Sequence, residues 1–238
     1  MTAKHAILSA DAHRDLRIRT DRGAELGDGV MASMVVPREF RDVQQHYPIL
    51  FRLNAERDNF TPVALMGFEA GENLFLEDGR WDADYVPLAI DIQPFLIGGA
   101  DGEGERQVHI DLASPRISHD EGTRVFEPEG TPSPLLEAVV QKLGTLDAGY
   151  RETAAFIEAL RQHRLLEPLT LEITLADGSA NRLVGFHIVN EAALRGLDAA
   201  ALGELHAAGH LMPIFMAVAA LGNVRGLIAR KNKRSLHG

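Results

Sequence analysis

Apolar positions along this chain follow two different periods. In the first half, short apolar runs stand between glycines, prolines and acids. Ile49-Leu50-Phe51 reads as a buried strand. Residues 62–68 and 74–76 read as two more, separated by Gly71 and closed by a turn at Asp78-Gly79. Residues 89–97 carry Ile90 and Ile92 in alternation, then Phe95-Leu96-Ile97. Val108, Ile110 and Leu112 alternate cleanly, which predicts a strand with one dry face. Upstream, Pro37 suits the first turn of a short helix that Tyr47-Pro48 ends. The stretch before Val30 reads as irregular, punctuated by Gly23, Gly27 and Gly29.

The second half changes to a helical period. Ser133-Pro134 is a cap followed by a first-turn proline. Leu136, Val139, Val140, Leu143 and Leu146 form one stripe. A second helix is predicted over 151–166, with Phe156 and Leu160 inward and Pro168 as its stop. Leu171, Ile173 and Leu175 alternate, and the turn at Asp177-Gly178 leads into 183–189, a β-hairpin. Asn190 and Asp198 cap two short helices. A last helix is predicted from Pro213, with Ile214, Phe215, Val218, Leu221, Leu227 and Ile228 at helical spacing. Strands, then helices, then a hairpin, then helices argue for an α+β fold. The expectation is a mixed or antiparallel sheet in the N-terminal half, and helices plus a β-hairpin in the C-terminal half. One domain over 1–238 is expected, with the Pro-rich stretch 127–134 as a candidate lobe boundary.

Composition narrows the function classes. The chain has 238 residues and no cysteine, so it holds no disulfide, thiol nucleophile or thiolate zinc site. Its net charge of −10 argues against general nucleic-acid binding, which needs clustered cations. The first residues lack the apolar run of a signal peptide, and the expected location is cytoplasmic. From Leu205 onward there are five cations and no acid, so the preceding part carries 19 of the 24 cations, all 34 acids and a net −15. The uncharged stretch 205–224 holds Gly209, Pro213 and Gly222. It reads as a buried or interfacial helix, with no transmembrane segment. The basic end reads as a solvated helix terminus, or as a contact for an acidic protein or anionic lipid.

Candidate chemistry is sparse. His109 and Asp111 fall on one face of a predicted strand. With a distal His187, His163 or His210 they are the donor set of an Fe(II) facial triad. Asp11 and His13 form a weaker copy. His206 and His210 lie four apart but flank Gly209, and no Glu accompanies them as in a zinc peptidase. The Gly-rich loop 98–104 lacks a following helix, and Asp101, Glu103 and Glu105 would repel phosphate. No nucleophile elbow is present. Trp81 and Tyr85, with Tyr47, suggest an aromatic patch for a partner.

Several segments together resemble the SapC-like family. They are Val36-Pro37-Arg38-Glu39-Phe40, His46-Tyr47-Pro48-Ile49-Leu50-Phe51, Glu72-Asn73-Leu74-Phe75, Trp81-Asp82-Ala83-Asp84-Tyr85-Val86-Pro87 and Gln93-Pro94-Phe95, then Gly209-His210-Leu211 and residues 223–231. The resemblance implies an accessory protein of a bacterial surface, uptake or peptide-modification system. Members tend to be encoded beside outer-membrane receptors, flavin-dependent halogenase-like proteins and cupin-like oxygenases. It supplies no catalytic residues. The favoured expectation is a soluble protein without chemistry of its own and without a cofactor. It would bind a protein or peptide partner through Tyr47, Trp81, Tyr85, Arg230 and Lys231. One alternative is an Fe(II) oxygenase using His109, Asp111 and His187. The other is a peripheral, membrane-associated secretion accessory protein.

Overall fold

The computed structural model describes residues 4–98, 106–176 and 178–237. The Gly-rich loop with Asp101, Glu103 and Glu105, and Asp177 of the expected hairpin turn, lie outside the described residues. In chain order the elements are β1 (His5–Ile7), α1 (Ala10–His13), β2 (Arg17–Ile18), β3 (Ala32–Met34), α2 (Phe40–Val43), β4 (Ile49–Leu53), β5 (Phe60–Leu65), β6 (Leu76–Glu77), β7 (Arg80–Trp81), α3 (Leu88–Asp91), β8 (Phe95–Gly98), β9 (Gln107–Asp111), β10 (Ile117–Ser118) and β11 (Thr123–Arg124). There follow α4 (Pro134–Gln162), β12 (Leu166–Thr174), β13 (Ala180–Val189), α5 (Glu191–Arg195), α6 (Ala199–Ala207), α7 (Leu211–Ala220) and α8 (Val224–His237). The fold is α+β, and every strand pair is antiparallel.

The chain forms two compact units. The first comprises Met1–Gly29, Leu76–Trp81 and Leu88–Ala148, so 127–134 lies inside it. Its sheets are β1-β9-β8, β10-β2-β11 and the ribbon β6-β7. Its core gathers Leu16, Ile18, Phe95, Ile110 and Val125 with Leu136, Val139 and Leu143 of α4. The stripe at i, i+3 and i+7 thus faces the sheets as its spacing predicts. Ser133 caps α4, accepting the Leu136 N–H at 3.3 Å and donating to the Arg124 carbonyl at 2.7 Å. Two short strands and a helix turn occupy the N-terminal stretch expected to be irregular. Residues 89–97 are a helical turn followed by β8, so the alternation there was incidental.

The second unit comprises Val30–Phe75, Asp82–Pro87 and Gly149–Gly238. Its sheet, ordered β12-β13-β4-β5-β3, joins the C-terminal hairpin to strands from the first half of the chain. Phe40 and Phe51 sit 6.0 and 6.4 Å from Phe156 between ring centroids, and all three are buried. The two helices expected over 134–166 are one, because no proline interrupts them. Gly149 also serves packing, since a Cβ there would stand 2.5 Å from Val36 Cγ2. Pro168 does not stop a helix but sits in β12, an edge strand whose outer side needs no N–H donor.

The first unit also buries an ion pair. Arg116 Nη2 donates to Asp28 Oδ1 at 2.6 Å, with side chains 3% and 0% exposed. Arg116 Nη1 further donates to the carbonyls of Arg19 and Asp21. Removing one partner strands the other's charge. Asp28→Ala is therefore expected to cost about 3–5 kcal/mol, read as a lowered urea midpoint. A variant with an unchanged midpoint would show that the pair contributes little.

Candidate functional site

Four of the segments that carry the family resemblance, around Glu39, Tyr47, Phe75 and Tyr85, meet in one polar and aromatic latch in the second unit. Pro37 starts a helical turn that brings Glu39 back over its own beginning, so Glu39 Oε1 accepts the Val36 N–H at 2.9 Å. Glu39 is only 3% exposed, and its other oxygen accepts from the Tyr85 hydroxyl at 2.7 Å. The Tyr47 hydroxyl donates to the Tyr85 carbonyl. The Tyr47 ring lies 4.5 Å from that of Phe75, and the Arg230 guanidinium covers Phe75 at 4.4 Å. Asn223 donates to the carbonyls of Gln44 and Tyr47 at 2.7 and 3.1 Å, satisfying orphan acceptors where α2 ends.

Two cations of α8 close the latch. Arg230 reaches the Asp82 carboxylate at 2.5 Å and its carbonyl at 3.0 Å. Lys231 meets Glu72 at 2.6 Å and Glu69 at 3.0 Å. Burial works against the Lys231 charge, yet hydrogen bonds to Glu72 and Glu69 outweigh it and hold the ammonium above its ordinary range. The hydrogen bond from Lys231 likewise holds the Glu69 carboxyl below its usual range.

This geometry changes the meaning of the expected partner residues. Tyr47 is fully buried and presents nothing to a partner. Arg230 and Lys231 face acids of their own chain. Trp81 belongs to the first unit, half-buried in β7, with the Arg22 guanidinium 5.9 Å from its ring centroid. Tyr85 belongs to the second. The residues that sequence reasoning undervalued are Glu39 and Asn223. A Glu three positions after the residue preceding Pro37 is the signal that pointed to the first. Asn223 left no signal, because its partners lie far away in sequence.

The residues of the expected Fe(II) triad are divided between the two units. His109 and Asp111 sit in β9 of the first unit, whereas His187 belongs to β13 of the second. The His109 ring packs on Gly98, where a Cβ would stand 2.2 Å from Nε2. Among the described residues no group of three His, Asp or Glu is placed to hold an ion. His13 is buried, with its Nδ1 against the Ser9 backbone at the start of α1. His163 faces Glu204 at 3.7 Å. Gly209, at φ +75°, separates His206 from His210 and ends the α6 segment.

The C-terminal helix begins close to the expected Pro213 and runs past Ile228. Pro213 falls in the first turn of α7 and interrupts nothing. The helix continues through a tight turn at Leu221–Asn223 into α8. Leu211–Ser235 is long and apolar enough to cross a membrane by length and composition, and 33% of its most apolar window is buried. Met212 and Phe215 are 55% and 52% exposed. Ala219, Gly222, Gly226 and Ala229 continue the same exposed strip at alternating spacings of three and four. On the inner side, Ile214, Ala217, Ala220 and Leu227 are buried, and α7 packs on α2, β4 and β13.

The family model for SapC matches residues 8–227. The chain belongs to the SapC family. Comparison with curated proteins and with solved structures finds no match. The matched span includes Glu39, Tyr47, Phe75, Tyr85 and Asn223, and ends before Arg230 and Lys231. In this SapC-family chain the aromatic half of the latch and the acids Glu69, Glu72 and Asp82 thus lie within the match, and the two cations that pair with those acids lie beyond it.

Two histidines of the second unit resist protonation. Burial lowers the pKa of His187, helped by Arg57, and burial alone lowers that of His210. His187 Nδ1 is buried without a hydrogen-bond partner among the described residues. The unfolded chain therefore takes up protons that the folded one refuses, so stability falls as pH drops below about 6.5. His187→Phe, set against Phe60, is expected to flatten that fall and leave stability at pH 8 unchanged. Urea titrations at a series of pH values check this, and an unaltered slope refutes it.

Proposed function

We propose that this SapC-family protein is a cytoplasmic accessory protein without catalysis of its own. It docks peripherally on a membrane surface through the exposed face of its C-terminal helix. The observation that carries the reading is the apolar helix Leu211–Ser235, which leaves Met212 and Phe215 more than half exposed. Those two side chains stand in the segment from Leu205 onward, which carries five cations and no acid. A peptide-binding role through Tyr47, Trp81, Tyr85, Arg230 and Lys231 has less to stand on, since Tyr47, Tyr85, Arg230 and Lys231 serve the latch.

Magnitudes favour lying on a bilayer over spanning it. Moving two half-exposed side chains of this size out of water gains about 2 kcal/mol. Cations near an anionic surface add about 1 kcal/mol each, and Arg225, Lys233 and Arg234 are exposed. The total resembles that of a single acyl anchor, which gives reversible attachment. Spanning would instead break the Arg230 and Lys231 pairs and uncover the inner face of α7. The net −15 of the preceding residues turns the rest of the protein away from an anionic surface.

Co-sedimentation with phosphatidylcholine/phosphatidylglycerol vesicles tests the reading. The protein should pellet at low salt, and Phe215→Asp with Met212→Asp should weaken binding about tenfold. Their exposure predicts an unchanged melting temperature. Binding that ignores both substitutions, or none at all, sinks the proposal.

A further inference from the structure

The first unit holds a cleft of about 400 Å³ between the β8 segment and the loop after β9. That volume lies within the range of small-molecule sites. Asp111, Gln93 and Ser114 supply its polar groups, and Pro94, Leu96 and Pro115 supply apolar wall. Asp111 Oδ1 accepts the backbone N–H groups of Lys4 and Ala113, each at 3.0 Å. These two bonds, helped by His5 and opposed by burial, hold the carboxyl below its usual range. No described residue bonds Oδ2, and no described Lys or Arg pairs with this carboxylate. The Gln93 carboxamide lies against Gly27 and likewise has no hydrogen-bond partner among the described residues. Ser114 Oγ accepts only the Arg116 N–H at 3.3 Å.

The cleft therefore offers one carboxylate, with His5 of the paired strand as the charge nearest it and no Lys or Arg partner among the described residues, and two further oxygens beside an apolar wall. An anion would meet repulsion from Asp111. A hard divalent ion would find one carboxylate where calcium takes six to eight oxygen ligands. An ammonium group has three N–H donors and one positive charge, and the three oxygens match that count. We propose that this cleft binds a primary ammonium group carried on an apolar body, with Asp111 Oδ2 as its counter-ion and Gln93 Oε1 and Ser114 Oγ as the other acceptors. The shared chemistry covers a free alkyl or aryl amine and a lysine side chain of a peptide.

The test follows amide chemical shifts of the full-length protein during titration with benzylammonium chloride, with Nα-acetyl-lysine amide, with neutral benzyl alcohol and with calcium chloride. Saturable shifts at Leu96, Ala113 and Ser114 with either amine, absent with the alcohol, support the proposal, and the tighter of the two amines assigns the source. Asp111→Asn keeps an oxygen for the Lys4 and Ala113 amides and removes the charge, so it should weaken amine binding about fivefold with the fold intact. Gln93→Ala, which leaves the Asp111 loop untouched, should weaken it as well. No saturation by about 20 mM amine, equal response to benzyl alcohol, or saturation by calcium alone overturns the proposal.

Discussion

A buried carboxyl group is costly unless hydrogen-bond partners meet its oxygens, and Glu39 sets that constraint for the second unit. Its two oxygens face the Val36 amide and the Tyr85 hydroxyl. Meeting them requires the chain to return at Pro37 and requires the 82–87 segment to lie across that turn. Tyr47 then finds its acceptor in the Tyr85 carbonyl, and its ring finds Phe75. Phase by phase, each satisfied group places the next segment. The end of this sequence is α8, whose Arg230 covers Phe75 and whose Lys231 closes on Glu72 and Glu69. A half-satisfied network of this kind would cost more than an apolar core, so its segments are expected to order together.

This dependence explains why residues that look like a recognition patch in the sequence make their contacts within their own chain. Tyrosine and tryptophan among polar turns have an apolar body and a polar tip, and burial suits them whenever the tip finds a partner. Composition cannot distinguish a ring that meets its own chain from one that meets another. The fold class was legible because strand alternation and helix stripes are local. Val108, Ile110 and Leu112, and the stripe Leu136, Val139 and Leu143, took the faces their periods required. The Asn190 and Asp198 caps also formed, accepting the amides of Ala193 and Ala201.

What was not legible depends on long-range pairing. Nothing near Pro168 announces that it will stand on a sheet edge, and nothing near β13 announces that it will pair with β4. The His109, Asp111 and His187 grouping depends on such pairing too. Period two places the first two on one face, but only the topology decides which unit a third histidine joins. Asp111 kept a polar environment nonetheless. Its carboxylate is bound by backbone amides on one oxygen only, an arrangement that suits a cation better than a ligand set around a transition metal.

The C-terminal helix shows how the two halves of the latch bear on function. Proline and glycine suggested a short apolar element, yet Pro213 lies where a helix lacks internal donors to lose, and Gly222 and Gly226 are merely exposed. The helix thus runs on from α7 into α8, apolar on both sides near its start. Its inner side is bound to α2, β4 and β13, and two of its five cations are neutralised by Asp82, Glu69 and Glu72. Because those pairs fix the helix along the surface of its unit, its outer face is held in one orientation. Met212 and Phe215 point outward at one end, and Lys233 and Arg234 lie exposed at the other. A freely hinged helix of the same composition would bury its apolar face against its own protein or insert end-on. Anchored by the latch, it offers a flat strip whose apolar and cationic parts can meet a lipid surface together.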